Sequence, residues 1–303
     1  MSHSHTHGTA ATSSGARFRG RLAMAFGLTA AFFLVELVAG VLSGSLAVVA
    51  DAGHMATDVV ALGASLVATR VAARPDGTGR RTYGSYRAEV FAAGLATLLM
   101  VGVGVFVVVE AVYRIGEPAH VASTVMIVVG VTGLLVNGVC ALLLRDGSTQ
   151  SLNIRGAYLE VLGDAAGSAG VLLAGALIAW TGNPVWDIVV ACAIGLFVLI
   201  RAFGLGRSVL RVLGQHAPEG IDPAAVETDL AAVDGVHEVH DLHLWTLTSG
   251  MNVATAHLVA DDGAGLHQVL DDAKAVLASK HHIDHATLQV EPADHRGCGE
   301  VGW

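Results

Sequence analysis

Six apolar runs fill the first two thirds of the chain, each near the ~20 residues a helix needs to cross ~30 Å of hydrocarbon. They cover residues 22–42, 46–69, 88–112, 121–144, 156–180 and 185–203. Of the 303 residues, 53% are hydrophobic and only 14% charged, with a mean hydropathy of +0.60. That is too little charge to cover a soluble protein of this length. A polytopic α-helical membrane protein with six transmembrane helices is expected. Runs one and two are joined only by Ser43-Gly44-Ser45, a tight hairpin. The fourth run holds no charged residue and is expected to face lipid.

The basic residues set the expected orientation. Arg17, Arg19 and Arg21 precede run one, and Arg70, Arg74, Arg80, Arg81 and Arg87 lie between runs two and three. Arg145 and Arg155 flank the fourth connection, and Arg201, Arg207 and Arg211 close the sixth run, while the other side has Arg114 alone. Both termini are therefore expected in the cytoplasm, with the bundle in the cell membrane. Residues 1–21 read as a polar, disordered leader, since no short core followed by a small-residue cleavage site marks a signal peptide. Its His3, His5 and His7 either collect metal loosely or are incidental. Cys140, Cys192 and Cys298 are an odd, scattered set and no disulfide framework.

Four segments follow: the leader at 1–21, a six-helix transport domain at 22–211, a soluble domain at 212–296 and a tail at 297–303. Asp222-Pro223 starts a helix, with Asp as cap and Pro in the first turn. Residues 236–246 and 252–260 alternate like strands, 265–280 has helical spacing, and 286–290 is a last short strand. The order α-β-β-α-β predicts a small α+β domain with helices on a sheet. The net charge of −9 falls mostly after residue 216, which argues against nucleic-acid binding.

Asp51, His54 and Asp58 stand at i, i+3 and i+7 inside the second run, so one helix face carries all three. Each ionisable side chain at mid-bilayer costs roughly 2.5–3.5 kcal/mol even on the lenient insertion scale. Such a stripe must face a polar interior. In the fifth run, Glu160 and Asp164 repeat the i,i+4 spacing of His54 and Asp58. Two helices that each offer such a pair can close four ligands around one ion. One imidazole with three carboxylates suits Zn²⁺ and is open to Co²⁺, Cd²⁺ or Mn²⁺, and the lack of thiolate argues against Cu⁺. The plainer reading is interhelical hydrogen bonding or an ion pair. Asp51, one turn before His54, either lines the access path or makes a structural hydrogen bond.

These stretches resemble the cation diffusion facilitator family, the zinc-transporter type of divalent metal/proton antiporter. The matching residues are Gly44-Ser45-Leu46-Ala47 running into Asp51-Ala52-Gly53-His54-Met55-Ala56-Thr57-Asp58, then Thr82-Tyr83-Gly84-Ser85-Tyr86-Arg87-Ala88-Glu89-Val90. Arg155-Gly156-Ala157-Tyr158 through Gly163-Asp164-Ala165 is similar to the family's fifth-helix motif. Val239-His240-Asp241-Leu242-His243-Leu244-Trp245 and Thr287-Leu288-Gln289-Val290-Glu291 resemble its cytoplasmic domain, a ferredoxin/metallochaperone-like fold. The resemblance implies a homodimer, held through the cytoplasmic domain and membrane helices, with His54, Asp58 and Asp164 as transport ligands. Glu160 departs from the pattern, because zinc-selective members carry His there and others Asp. It also implies regulatory metal ligands among His240, His243, His257, Asp284, His285 and Glu291, with Cys298 as a tail ligand. The alternative is that these histidines are solvated surface residues.

The expected function is efflux of divalent metal, Zn²⁺ first and Cd²⁺ or Co²⁺ beside it, in exchange for protons, with lipid as the other partner and no further cofactor. Metal ligands must be deprotonated to bind, so proton and metal compete for one site, and rocking of the bundle would alternate its exposure. Glu160 in place of His leaves open a Mn²⁺- or Fe²⁺-preferring transporter of the same type. A membrane-anchored metal sensor is a further alternative, but it leaves the two stripes without a purpose. An intramembrane metalloenzyme would need a His-Glu-x-x-His run, and the membrane part has none, so no enzyme is expected.

Overall fold

The structure, a computed structural model, describes residues 10–72, 79–116, 121–148, 152–248 and 250–292. Six long helices come first: α1 (Ala10–Ser43), α2 (Leu46–Ala72), α3 (Ala88–Tyr113), α4 (Ser123–Ser148), α5 (Leu152–Thr181) and α6 (Val185–Leu213). Among the described residues, five segments are long and apolar enough to cross a membrane: Gly20–Ser43, Ala88–Tyr113, Ser123–Asp146, Arg155–Thr181 and Val185–Leu213. The expected count of six thus stands at five apolar spans. The remaining helix, α2, has spanning length at 27 residues and carries Asp51, His54, Asp58 and Arg70. Large side chains such as Leu42, Leu98 and Trp180 stand 70–84% exposed on these helices. An outward apolar surface of this extent needs lipid around it, and the chain is an integral membrane protein.

The described residues fall into two compact units, within Met1–Gly63 plus Leu95–Gly204 and within Ala64–Gly94 plus Leu205–Trp303. In the first unit α4 packs along α5 and α1. Close approach comes from glycine: a Cβ at Gly130 would fall 2.7 Å from the Leu172 backbone nitrogen, and one at Gly175 would strike Met126. Small residues that let backbones meet are how helices associate without a hydrophobic drive between them. The charge-free fourth run, most of α4, is therefore not simply lipid-facing. Its Met126, Val129, Asn137, Cys140 and Leu144 are buried, while Val128, Leu135 and Leu142 stay exposed.

The α1–α2 hairpin is tied down by charges from further along the chain. Gly44 turns with φ 70°, and its carbonyl accepts from Arg114 Nη1 at 2.7 Å, with Arg114 Nε donating to Glu110 at 3.0 Å. The first N–H groups of a helix have no intrahelical partner. At α2 they are met by Asp187 in the first turn of α6, which accepts from Leu46 N at 2.7 Å and Ala47 N at 3.0 Å. Ser45 Oγ also donates to Asp187 at 2.6 Å and accepts from Val48 N at 3.1 Å. A carboxylate at this end is further favoured by the helix dipole.

In the second unit, α7 (Pro223–Ala231) and α8 (Leu266–His281) cover one face of a sheet of β1 (Val236–Thr248), β2 (Met251–Ala260) and β3 (His285–Pro292), in the order β1-β2-β3. The Asp222 side chain caps α7 by accepting from Ala224 N at 3.2 Å, with Pro223 next to it. β1 and β2 form an antiparallel hairpin, and β3 returns parallel to β2, which requires the α8 crossover. Ala254, Ala256 and Leu258 alternate inward and pack with Val226, Leu230, Val269, Ala273 and Leu277. The α-β-β-α-β order matches the residues' own periodicity. Asp229 ties α7 to α8 through Lys280 Nζ at 2.7 Å and His281 Nε2 at 2.9 Å.

Two measurements follow from these contacts. Asp187→Ala should lower the stability of the solubilised protein by about 2 kcal/mol, the loss of a cap that leaves buried amides unpaired, and Asp187→Asn should lose less. Thermal unfolding in one detergent reads this, and an unchanged midpoint in Asp187→Ala would deny the cap any stabilising role. Hydrogen bonds from Lys280 and then His281 hold the Asp229 carboxyl below the usual carboxylate range. Its contribution is thus fully present above the unfolded value of ~3.9 and fades as pH falls further, through the folded value. Asp229→Asn should flatten that acid limb, read by hydrogen exchange of α8 in the full chain.

Candidate metal centre

The cap at Leu46 sets where α2 begins, and the helical period then aims Asp51, His54 and Asp58 into the bundle. His54 is 2% exposed and Asp164, from α5, 4%. His54 Nε2 lies 3.7 Å from Asp58 Oδ2 and 3.7 Å from Asp164 Oδ1, and the three donor atoms lie within 4.8 Å of one another. Donors held tetrahedrally around Zn²⁺ at 2.0–2.1 Å stand about 3.4 Å apart, so small side-chain movements would close them on an ion. Asp58 Oδ2, Asp164 Oδ1 and His54 Nδ1 are buried without hydrogen-bond partners. Buried polar atoms are normally paired, and a cation would satisfy the two carboxylate oxygens.

Glu160 is placed differently. It shares the α5 face with Asp164, but both of its oxygens accept from Arg201 Nη2 at 2.6 Å. Arg201, on α6, also sets Nη1 3.2 Å from His54 Nε2 and 3.9 Å from Asp58 Oδ2. Its guanidinium lies over the Phe197 ring at 5.9 Å, and that ring meets His54 edge-on at 5.9 Å. Sequence reasoning missed Arg201, reading it as one of the basic residues that set orientation. The usable signal was its position inside the sixth apolar run, where a cation has to face the interior as much as an acid does.

Asp51 is 1% exposed and outside the three-donor group. Its carboxylate rests against Gly167 of α5, where a Cβ would collide with Oδ1. Glu36 of α1 is wholly buried, and like Asp51 it keeps both carboxylate oxygens without a hydrogen-bond partner.

On the sheet face away from the helices, a second group forms from His240, His257 and Glu291, whose donor atoms also lie within 4.8 Å. His257 Nδ1 is 3.1 Å from Glu291 Oε1, and His240 Nε2 is 3.7 Å from Oε2. Glu291 is 4% exposed, and Gln289 Nε2 donates to its Oε1 at 2.8 Å. Strict alternation would put His240 and His243 on opposite faces. The register runs from His240↔His257 to His243↔Thr255, so β1 holds one extra residue, and Asp241 takes φ 53° within the bulge. That returns His243 to the same face, with Nε2 3.0 Å from Asp241 Oδ1 but outside the three-donor group. Asp241 also approaches His257 at 3.9 Å.

Asp284 and His285 lie at the other end of β3. His285 pairs with Val253 and Glu291 with Val259, a separation of about 20 Å along the strand, and His285 meets Tyr83 edge-on at 5.7 Å. His3, His5, His7 and Cys298 lie outside the described residues.

Two family models match nearly the whole chain. The family described as "Cation efflux transmembrane domain" matches residues 22–213, and "Cation efflux protein, cytoplasmic domain" matches residues 218–293. The chain is 42% identical over 273 residues to the metal cation efflux system protein CzcD of Cupriavidus metallidurans, covering 90% of this chain and 86% of that one. It is 37% identical over 293 residues to the zinc transporter ZitB of Escherichia coli, covering 96% and 93%. A cadmium, cobalt and zinc/H(+)-K(+) antiporter of Bacillus velezensis is 31% identical over 303 residues, covering 97% and 93%. The two matches together span nearly the whole chain, from the helices to the sheet domain that follows them in sequence, and the chain is a member of the cation diffusion facilitator, or cation efflux, family.

Proposed function

We propose that the protein exports divalent metal in exchange for protons, with Zn²⁺ the preferred ion and Cd²⁺ and Co²⁺ beside it. The observation that carries this is the buried group of His54, Asp58 and Asp164 between apolar helices. One imidazole with carboxylates is a borderline set that suits these ions, and relatives named for zinc, cadmium and cobalt support the choice. Glu160 completes the set as a fourth ligand once it parts from Arg201. A share of Mn²⁺ or Fe²⁺ transport follows if the three carboxylates dominate the coordination. Because imidazole and carboxylates bind metal only when deprotonated, a proton arriving at the site favours release. Alternating exposure of the site by rocking of the helices turns this competition into antiport.

The further assignments rest on the same reading. α2 acts as the sixth span, and the arginine pattern puts both termini in the cytoplasm of a cell-membrane protein. The transport domain covers 22–211 and the regulatory domain 212–296, through which two copies pair. His240, His257 and Glu291 hold a regulatory metal, with His243 and Asp241 beside them, and His3, His5 and His7 collect metal at the leader.

Flux into proteoliposomes with a set pH gradient tests the transport reading. Asp58→Ala or Asp164→Ala should abolish zinc flux, and Glu160→His should shift the ranking across a panel of Zn²⁺, Cd²⁺, Co²⁺ and Mn²⁺. A metal sensor would move no ion and would be indifferent to these changes. If Glu160→His alters neither selectivity nor pH dependence, Glu160 is not a ligand. For the second group, His257→Ala with Glu291→Gln should remove one zinc equivalent per chain in equilibrium dialysis while leaving the equivalent that depends on Asp58. Unchanged stoichiometry would remove the regulatory site.

A further inference from the structure

Arg201 brings a permanent positive charge to a group of acids whose proposed task is to hold a mobile one. A guanidinium has five N–H donors, no acceptor and no accessible neutral form. Where its Nη1 faces His54 Nε2 at 3.2 Å, the imidazole nitrogen must offer its lone pair. That lone pair is the one a metal ion would use. An ion 2.0–2.1 Å from Nε2 and a guanidinium nitrogen 3.2 Å from the same lone pair exclude each other by contact and by charge. The same guanidinium takes both oxygens of Glu160 through Nη2 and stands 3.9 Å from Asp58.

We infer that Arg201 is a tethered competitor of the transported metal, which an arriving ion displaces from His54 and Glu160 and which reclaims them as the ion departs. This rests on the transport-site reading above and adds a residue that sets affinity and release rate. The exchange balances: a divalent ion takes the place of a fixed monovalent charge, and Glu160, freed from Arg201, becomes available as a ligand. The side chains allow the movement, since those of Arg201 and Glu160 are 27% and 46% exposed, while His54 and Asp164 are held inside. Phe197, one turn before Arg201 on α6 and in ring contact with His54, offers an aromatic face along which the guanidinium can move. Because arginine keeps its charge at every working pH, the competition persists where protons are scarce, and release does not depend on protonation alone.

The test measures Zn²⁺ binding to the full-length chain in detergent, in a background carrying His257→Ala and Glu291→Gln together with His3→Ala, His5→Ala and His7→Ala, so that only the bundle site is read. Arg201→Gln should bind Zn²⁺ about tenfold more tightly, the scale of one charge-assisted hydrogen bond removed from the competing state. Its vesicle flux should show a lower KM together with a lower kcat, because release slows. Adding Glu160→Gln to Arg201→Gln should return most of the gained affinity. Arg201→Lys keeps the charge but cannot bridge Glu160 and His54 as a planar fork does, so its affinity should fall between wild type and Arg201→Gln. This decides the matter should the glutamine variant not fold. Weaker binding in either folded variant, or affinities within about twofold of wild type, would overturn the competitor role and leave Arg201 as a structural tie between α5 and α6. Loss of the transport-site reading looks different: Asp58→Ala would then bind zinc as wild type does, whatever the Arg201 variants do.

Discussion

Charge placed among apolar helices has to be answered within a few ångströms, because no water stands by to do it. Most of the first unit follows from that constraint. Asp187 is answered by the start of α2 and by Ser45, Glu110 by Arg114, and Glu160 by Arg201. His54 and Asp58 stand at the edge of the same guanidinium, and Asp58 and Asp164 each keep a buried oxygen without a hydrogen bond. Some charges of the bundle are thus paired inside the chain, while Glu36, Asp51, Asp58 and Asp164 keep buried oxygens without a partner. An incomplete set in a low-dielectric site has strong affinity for whatever cation can reach it.

The cap on α2 links the two kinds of charge. A shift of one residue in the start of α2 would turn its stripe by about 100° and carry Asp51, His54 and Asp58 away from α5. Asp187 opposes that shift because it receives two specific backbone amides and the Ser45 hydroxyl together. Arg114 holds the carbonyl on the other side of the turn. The Gly-Ser-Leu-Ala stretch that looked like a short connector is therefore the register pin of the ligand helix, with its acid supplied from about 140 residues away.

What could be read in the sequence was what local periodicity carries. The helix spacing of His54/Asp58 and Glu160/Asp164, the capped start at Asp222 and the strand alternation all depend on near neighbours, and they appear in the structure close to where periodicity put them. What escaped depends on which elements meet. Arg201 was read by the side of the membrane it marks, since nothing local indicates that α6 turns it toward Glu160. His240 and His243, three residues apart, share a face only because β1 bulges at Asp241, and a strict period of two assigns them to opposite faces. Asp284 and His285 erred the other way: close to Glu291 in sequence, they are carried down the strand away from it.

The two three-donor groups use the same kinds of atom in opposite settings. In the sheet domain, His240, His257 and Glu291 are arranged by strand register and flanked by the neutral donor Gln289 and the acid Asp241. Gln289 occupies one lone pair of Glu291, and Asp241 adds negative charge beside His257. In the bundle, the neighbour of His54 Nε2 is a cation on a flexible stem. A binding site for cargo must release what it binds, and uniformly tight binding would only trap the ion. An acid-rich site in low dielectric errs toward trapping. A guanidinium bound to the same atoms counters this directly, since it stabilises the set of ligands that the departing ion leaves behind and spares the protein an unpaired buried charge. On that view Glu160 suits this chain, because a carboxylate meets the Arg201 charge through both oxygens, as a neutral imidazole cannot, and can still take part in coordination when Arg201 moves away.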